Sequence, residues 1–324
     1  MLRELSSEQD QMRAGSRALS IFARSLSATV LRAHVEGPKC PSELEKEVAW
    51  AAPTSIRTPT AALRDIGALT TTKPTGPSRG VATELSPAGF ELLGVADALE
   101  RWLESSPQGP IALEDTAGRG TIRILAAGWD SAIVRALAER SYTLTSLSAV
   151  ISKVNYPALK RRMIKLRSTS LIDQTGRGKG TTYMASDWLR RSAIPLTAAA
   201  RWERRHDDEA EPISKVDVEA AFLMTLPLVE LTSGVSGTCA FAVMTSENRM
   251  ESGPELAGVA VEVKNGNVVS CSSTTSRAPD TWALGTTDAW LDAVMEGDYG
   301  GLGISGAQPE LPREIVAVLH SALF

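Results

Sequence analysis

One pattern occurs twice in this chain at a constant offset, so any fold for it must accommodate two similar modules. Phe22, Val30, Leu44, Val48, Ile56 and Leu63 recur as Leu125, Ile133, Leu147, Ile151, Leu159 and Leu166, each pair 103 positions apart, without a gap. A polar segment rich in Thr, Gly and basic residues follows each block. A helical stretch comes next, carrying Trp102 in the first copy and Trp202 in the second; their separation is 100, so three residues have gone from the connecting loop.

With 324 residues the chain has room for two or three domains, each with its own core. The net charge of −4 conceals a local excess of basic residues between Lys153 and Lys179. Cys40, Cys239 and Cys271 are isolated and odd in number, which supports neither a disulfide framework nor a CxxC zinc site and fits a reducing cytosol. The opening MLRELSSEQDQM lacks the apolar centre of a signal peptide. The most apolar run, Ala221 to Leu231, contains Pro227 and Glu230 and is too short to span a bilayer. A soluble, cytoplasmic protein without cofactor or membrane partner is expected.

Residues 16 to 35 have the spacing of one helix, closed by Gly37-Pro38. A second helix starts near Pro41, with Ser42 and Glu45 in the S-x-x-E relation of a capping box. Thr54 to Arg64 form a third, although Pro59 is unsuited to a helix interior and suggests a shorter helix capped by Thr58. Residues 68 to 85 suggest two strands joined by a turn. Ser86-Pro87 then opens a helix with Phe90, Leu93, Ala96, Leu99 and Leu103 along one face. In the second copy the expected elements are helices around 126–139, 144–152 and 157–167, a strand pair within 171–184 and a closing helix to His206.

Asp207 to Pro212 is a short acidic linker, and composition changes beyond it. Val216 to Leu231 suits a helix with a Pro-marked break, and Thr238 to Met244 a strand. Leu256 to Cys271 suits a hairpin turning at Asn265-Gly266. A strand at Trp282 to Leu284, a helix at Thr287 to Met295, a strand at Gly301 to Ile304 and a helix from Pro312 to Phe324 complete an α+β segment. The domain boundaries read as 1–110, 111–210 and 211–324.

Trp129-Asp130 at the head of a helix, a third helix ending in Leu-Arg, a Thr-rich strand pair and a Trp-bearing closing helix together resemble the HxlR group of winged-helix transcription regulators, once per copy. Copy one departs from the pattern in Pro59 and in lacking the Trp of the opening helix. GVAVEVKNGNVVSC, Trp282-Ala-Leu-Gly, DAWLDAVMEGDYGGLGISG and VLHSALF resemble the sterol carrier protein-like domain sometimes fused to such regulators, with Gly306-Ala307-Gln308 in place of the usual Gly-Asp. The resemblance implies an α+β chain of two tandem winged helix-turn-helix domains and a small sterol carrier-like domain. It implies a regulator, of repressor type, that binds double-stranded operator DNA, with a C-terminal domain that either binds a hydrophobic small molecule modulating DNA affinity or provides an assembly surface.

The third helix of copy two carries Lys160, Arg161, Arg162 and Lys165, against Arg57, Thr60 and Arg64 in copy one; such residues suit phosphates and base edges in a major groove. Lys73 and Arg79 in one strand pair, with Arg177 and Lys179 in the other, are further DNA candidates. Gly176 to Thr181 imitates a phosphate-binding loop, but Asp173 stands where an earlier Gly is needed and Thr181-Thr-Tyr183 favours a strand. His34, His206 and His320 are far apart and have no Cys partner or nucleophile motif, so neither a metal site nor catalysis is expected. Phe222, Met224, Leu226, Phe241, Met244, Trp282, Trp290 and Met295 are candidates for an apolar ligand cavity, or else for ordinary core. Two alternatives to a regulator stay open: a protein that sequesters a small molecule and uses the repeats as scaffold, and an enzyme acting on a hydrophobic substrate. Two modules in one chain are compatible with a monomer or a homodimer.

Overall fold

The computed structural model describes residues 14–48, 50–73, 81–127, 131–151, 155–208, 210, 213–245, 255–273, 279 and 281–323, and the fold is mixed α+β. The first repeat comprises α1 (Ser16–Phe22), α2 (Ser27–Ala33), α3 (Pro41–Glu47), α4 (Pro53–Asp65), β1 (Leu69–Thr72), β2 (Ala82–Leu85) and α5 (Pro87–Glu104). The second comprises α6 (Thr116–Ala127), α7 (Ser131–Glu139), β3 (Tyr142–Thr143), α8 (Leu144–Val150), α9 (Tyr156–Ser168), β4 (Ile172–Thr175), β5 (Thr182–Ala185), α10 (Asp187–Arg191) and α11 (Ala193–His206).

The duplication extends to individual hydrogen bonds. Helices α3 and α8, helices α4 and α9, and strands β1 and β4 share their bounds at the 103-residue offset, while β2 and β5 are 100 apart. Ser86 accepts from Gly89 N–H at 3.0 Å and donates to the Gly67 carbonyl at 2.6 Å; Ser186 accepts from Leu189 N–H at 3.1 Å and donates to the Ser170 carbonyl at 2.9 Å. Gly67 and Ser170, at matching positions after the third helix, both take left-handed backbone, with φ of 73° and 58°. The bridge between Lys39 and Thr83 in the first repeat matches the pairing of Tyr142 with Tyr183 in the second.

Several expectations need correction. The single helix over 16–35 is two, because Leu26 turns left-handed at φ 66° and the Glu114 carboxylate accepts from Leu26 N–H at 2.7 Å and Ala28 N–H at 3.2 Å, capping α2. The box at the start of α3 is formed by Cys40 and Glu43, not Ser42 and Glu45: Pro41 takes the first helical position, so Cys40 is the cap and donates its N–H to Glu43 at 2.7 Å. In α5 the expected Ala96, Leu99 and Leu103 are buried, joined by Leu92, Val95 and Trp102, while Phe90 is exposed.

Pro59 lies inside an uninterrupted α4, so Thr58 caps no shorter helix. Packing of Ile56, Pro59, Ala62 and Leu63 into the core outweighs the missing N–H. A helix-interior Pro costs about 3 kcal/mol, whereas trimming its ring to Ala forfeits burial worth about 2 kcal/mol. Pro59→Ala is therefore expected to stabilise α4 by about 1 kcal/mol, visible as slower hydrogen exchange across residues 53–65; faster exchange would show that the ring's packing dominates.

The C-terminal segment comprises α12 (Lys215–Thr225), a 3₁₀ turn, β6 (Gly237–Thr245), β7 (Glu255–Lys264), β8 (Asn267–Ser272), β9 (Thr281–Thr286), α13 (Thr287–Glu296), β10 (Gly303–Gly306) and α14 (Glu310–Leu323). Its sheet has the order β10-β9-β6-β7-β8, with β6 and β9 parallel and the other pairs antiparallel. Asn265 and Gly266 turn the β7–β8 hairpin with φ of 50° and 83°. Helices α12, α13 and α14 pack against the sheet, facing Cys239, Phe241, Val243, Val259 and Ala283.

The chain forms two compact units: Met1–Gly128 with Pro195–Glu211, and Trp129–Ile194 with Pro212–Phe324. The second repeat thus divides, with α6 and α11 from Pro195 onward in the first unit and α7 to α10 in the second. Within the first unit, α1 packs on α6 and the Trp202 indole N–H on α11 donates to the Ala88 carbonyl of α5 at 2.7 Å. In the second, Arg135 on α7 pairs with Glu219 on α12 at 2.5 Å and donates to Ser273 at 2.6 Å, and Ser272 donates to Glu139 at 2.8 Å.

Candidate nucleic-acid interface

Helix α9 is built to show one face outward. Pro157 lies in its first turn, the Asn155 side chain accepts from Ala158 N–H at 2.9 Å, and Leu159, Met163 and Leu166 are buried. Lys160, Arg161 and Lys165 are consequently exposed, while Arg162 lies half-buried at the edge of the stripe. Arg167 donates to Gln174 on β4 at 2.7 Å and so ties the helix to the strand pair. Arg177 is exposed where β4 leads into the turn. Gly178–Gly180 form a 3₁₀ turn between antiparallel strands, so no long helix presents its N-terminal amides there, as a phosphate-binding loop requires. The Lys179 side chain lies outside the described residues.

In the first repeat Arg57 and Arg64 on α4 are exposed, as is Lys73 beyond β1; Arg79 lies outside the described residues. Thr60 is half-buried, and its hydroxyl donates to the Ile56 carbonyl at 2.7 Å, one turn back in its own helix. Trp129 and Asp130 also lie outside the described residues. Exposed apolar residues that sequence reasoning missed include Ile164 on α9 at 58% and Trp50, between α3 and α4, at 73%, as well as Val150 on α8 and Tyr156 at the start of α9. The buried stripe at 159, 163 and 166 was the signal that placed Ile164 outward.

The ligand candidates separate by strand alternation. Phe222, Phe241 and Trp290 pack together with ring centroids 5.0 to 6.0 Å apart, and the Trp290 indole N–H donates to the Ala242 carbonyl at 2.8 Å. Met224 and Leu226 are fully buried and Met295 half-buried. Trp282, 40% exposed, and Met244 share the other sheet face, since Trp282 is in register with Ala240 and Met244 with Thr286. They are corrected as members of one inward-facing lining.

The three histidines, His34 buried and His206 and His320 half-buried, each meet a partner within the frame. The His34 ring lies within 2.8 Å of both the Val30 carbonyl and the Thr83 hydroxyl, and burial lowers its pKa. His320 contacts the Val294 carbonyl at 2.9 Å, and His206 pairs with Glu91 at 3.1 Å. Among the described residues no group of three or more His, Cys, Asp or Glu is arranged to hold a metal ion, and no helix is long and apolar enough to cross a membrane.

No protein-family model matches the chain, and no curated protein matches it. The functional reading therefore rests on this chain's own residues.

Proposed function

We propose that the chain is a DNA-binding transcription regulator in which the two repeats are winged-helix modules, α9 makes the principal contact with duplex DNA, and the C-terminal domain is a sterol carrier-like module through which a hydrophobic small molecule alters that contact. The observation that carries this reading is the outward face of α9, where Lys160, Arg161 and Lys165 stand exposed on the third helix of a three-helix core, with an antiparallel strand pair directly after it. That order is the one in which a helix enters the major groove and a hairpin flanks it. Helix α4 presents Arg57 and Arg64 on the same plan with less charge, so the first repeat is the weaker partner.

Effector control requires the ligand to prefer one of two arrangements of the DNA-binding core. The links from Arg135 and Glu139 on α7 to Glu219, Ser272 and Ser273 supply a connection through which such a preference would act.

The test compares wild type with Lys160→Ala/Arg161→Ala/Lys165→Ala on a duplex selected from a random pool. Each lost phosphate contact lowers the slope of log affinity against log salt by about 0.9, so the slope is expected to fall by about 2 to 3. Unchanged slope and affinity would remove α9 from the interface.

A further inference from the structure

We infer that Ile164 reads the 5-methyl group of a thymine, making it a specificity-determining residue rather than another contributor to affinity. The inference rests on the proposal that α9 enters the major groove. At about 100° per residue, Ile164 lies about 45° from the direction opposite the buried stripe of Leu159, Met163 and Leu166, between Lys160 and Arg161 around the helix. It is 58% exposed, with Lys160 one turn before it, Arg161 on the same face and Lys165 next in the chain. What distinguishes Ile164 is its place between basic side chains on the outward face, with Lys160 on one side of it and Arg161 on the other. In a groove the basic neighbours reach phosphate and guanine, and an apolar group between them meets the one apolar feature the bases offer there, the thymine methyl.

The first repeat supplies a second, independent observation. At the 103-residue offset Ile164 corresponds to Ala61, which is also exposed. A basic residue stands four positions before each, Arg57 and Lys160, and three positions after each, Arg64 and Arg167. The neighbouring positions have diverged freely, with Thr58 against Arg161 and Ala62 against Lys165. The arrangement of one apolar residue framed by two basic ones has been kept through the duplication. The larger side chain of Ile164 reaches further than Ala61, so the thymine read by α9 is the more strongly selected.

The experiment uses the full chain and duplexes selected from a random pool, in which each thymine is replaced singly by deoxyuridine. That exchange removes the methyl and leaves every hydrogen-bonding group in place. Wild type is expected to lose about fourfold in affinity at one thymine at least, the value of one buried methyl-sized group. In Ile164→Ala that position's preference for thymine over deoxyuridine should vanish while the salt slope stays at the wild-type value. Ile164→Val, which keeps a branched apolar end, should retain most of it. Sequence-selective binding with no thymine sensitive to deoxyuridine, or a sensitivity that persists in Ile164→Ala, overturns the inference while leaving the DNA-binding proposal standing. Absence of salt-dependent duplex binding overturns both.

Discussion

Replacing Glu203 with Ala is expected to lower the local stability of the first unit by about 3 kcal/mol. The Glu203 carboxylate on α11 is only 2% exposed and accepts from Gly15 N–H at 2.6 Å and Ala18 N–H at 2.8 Å, with the Arg17 amide as a further donor. It therefore caps α1 from a helix distant in sequence, satisfying N–H groups that have no partner within α1. Gly15 permits the approach: its backbone is left-handed at φ 85°, and a Cβ there would lie 3.1 Å from the Ala200 nitrogen and 3.2 Å from the Leu196 carbonyl. Burial raises the carboxyl's pKa, and the three backbone amides only partly offset that. The folded protein thus holds this proton more tightly than the unfolded chain does. The contribution is fully present below the unfolded pKa of about 4.5 and is lost as pH rises through the folded value. Glu203→Gln removes that titration but turns an amide N–H₂ toward a backbone donor, so its deficit relative to wild type should shrink as pH rises out of the acid range. Hydrogen exchange across residues 14–22 reads both effects: protection in Glu203→Ala should fall by about a hundredfold, and unchanged protection would show that the cap contributes nothing.

An effect as large is expected in the second unit from Arg190→Ala, about 3 to 5 kcal/mol. The Arg190 guanidinium, on α10, is buried and donates to the Leu223 carbonyl at 2.7 Å and the Ala138 carbonyl at 2.9 Å. Ala138 lies in the last turn of α7 and Leu223 in the last turn of α12, so one cation serves the carbonyl ends of two helices, where positive charge is favoured. Burial lowers the guanidinium's pKa, opposed by Asp187 and Cys271, yet Arg remains charged at any physiological pH. Truncation leaves two buried carbonyls without donors and a void; Arg190→Met fills the void and should recover part of the loss. The change should appear as lost exchange protection in α7 and α12 while α1 and α5 keep theirs. Loss spread evenly over both units would mean that Arg190 holds more than the joint assigned to it.

The periodic parts of this fold were legible because repetition made them redundant. The 103-residue offset read from Leu44 and Leu147 reappears as matching bounds of α3 with α8 and α4 with α9. The hairpin at Asn265-Gly266 followed from turn chemistry alone. The failures came where a distant side chain decided the local outcome. Glu114 caps a helix that residues 16 to 35 alone do not announce, and the packing of Ile56 and Leu63 carries Pro59 through α4. Strand parity separates Trp282 from Phe241, which hydrophobicity alone groups together. At the candidate interface the basic residues of α9 were legible as a charge cluster. The outward place of Ile164 follows from the same stripe of Leu159, Met163 and Leu166, whereas the hydrogen bond from Thr60 to Ile56 is visible only in the folded helix.

The central claim is tested most directly by titrating the intact chain against a duplex selected from a random pool and against a scrambled duplex of equal length, over a series of salt concentrations. A DNA-binding regulator is expected to bind both more weakly as salt rises, because phosphate contacts release counterions, and to keep a preference for the selected sequence throughout, because base contacts do not screen away. No binding to either duplex at the lowest salt would contradict the account.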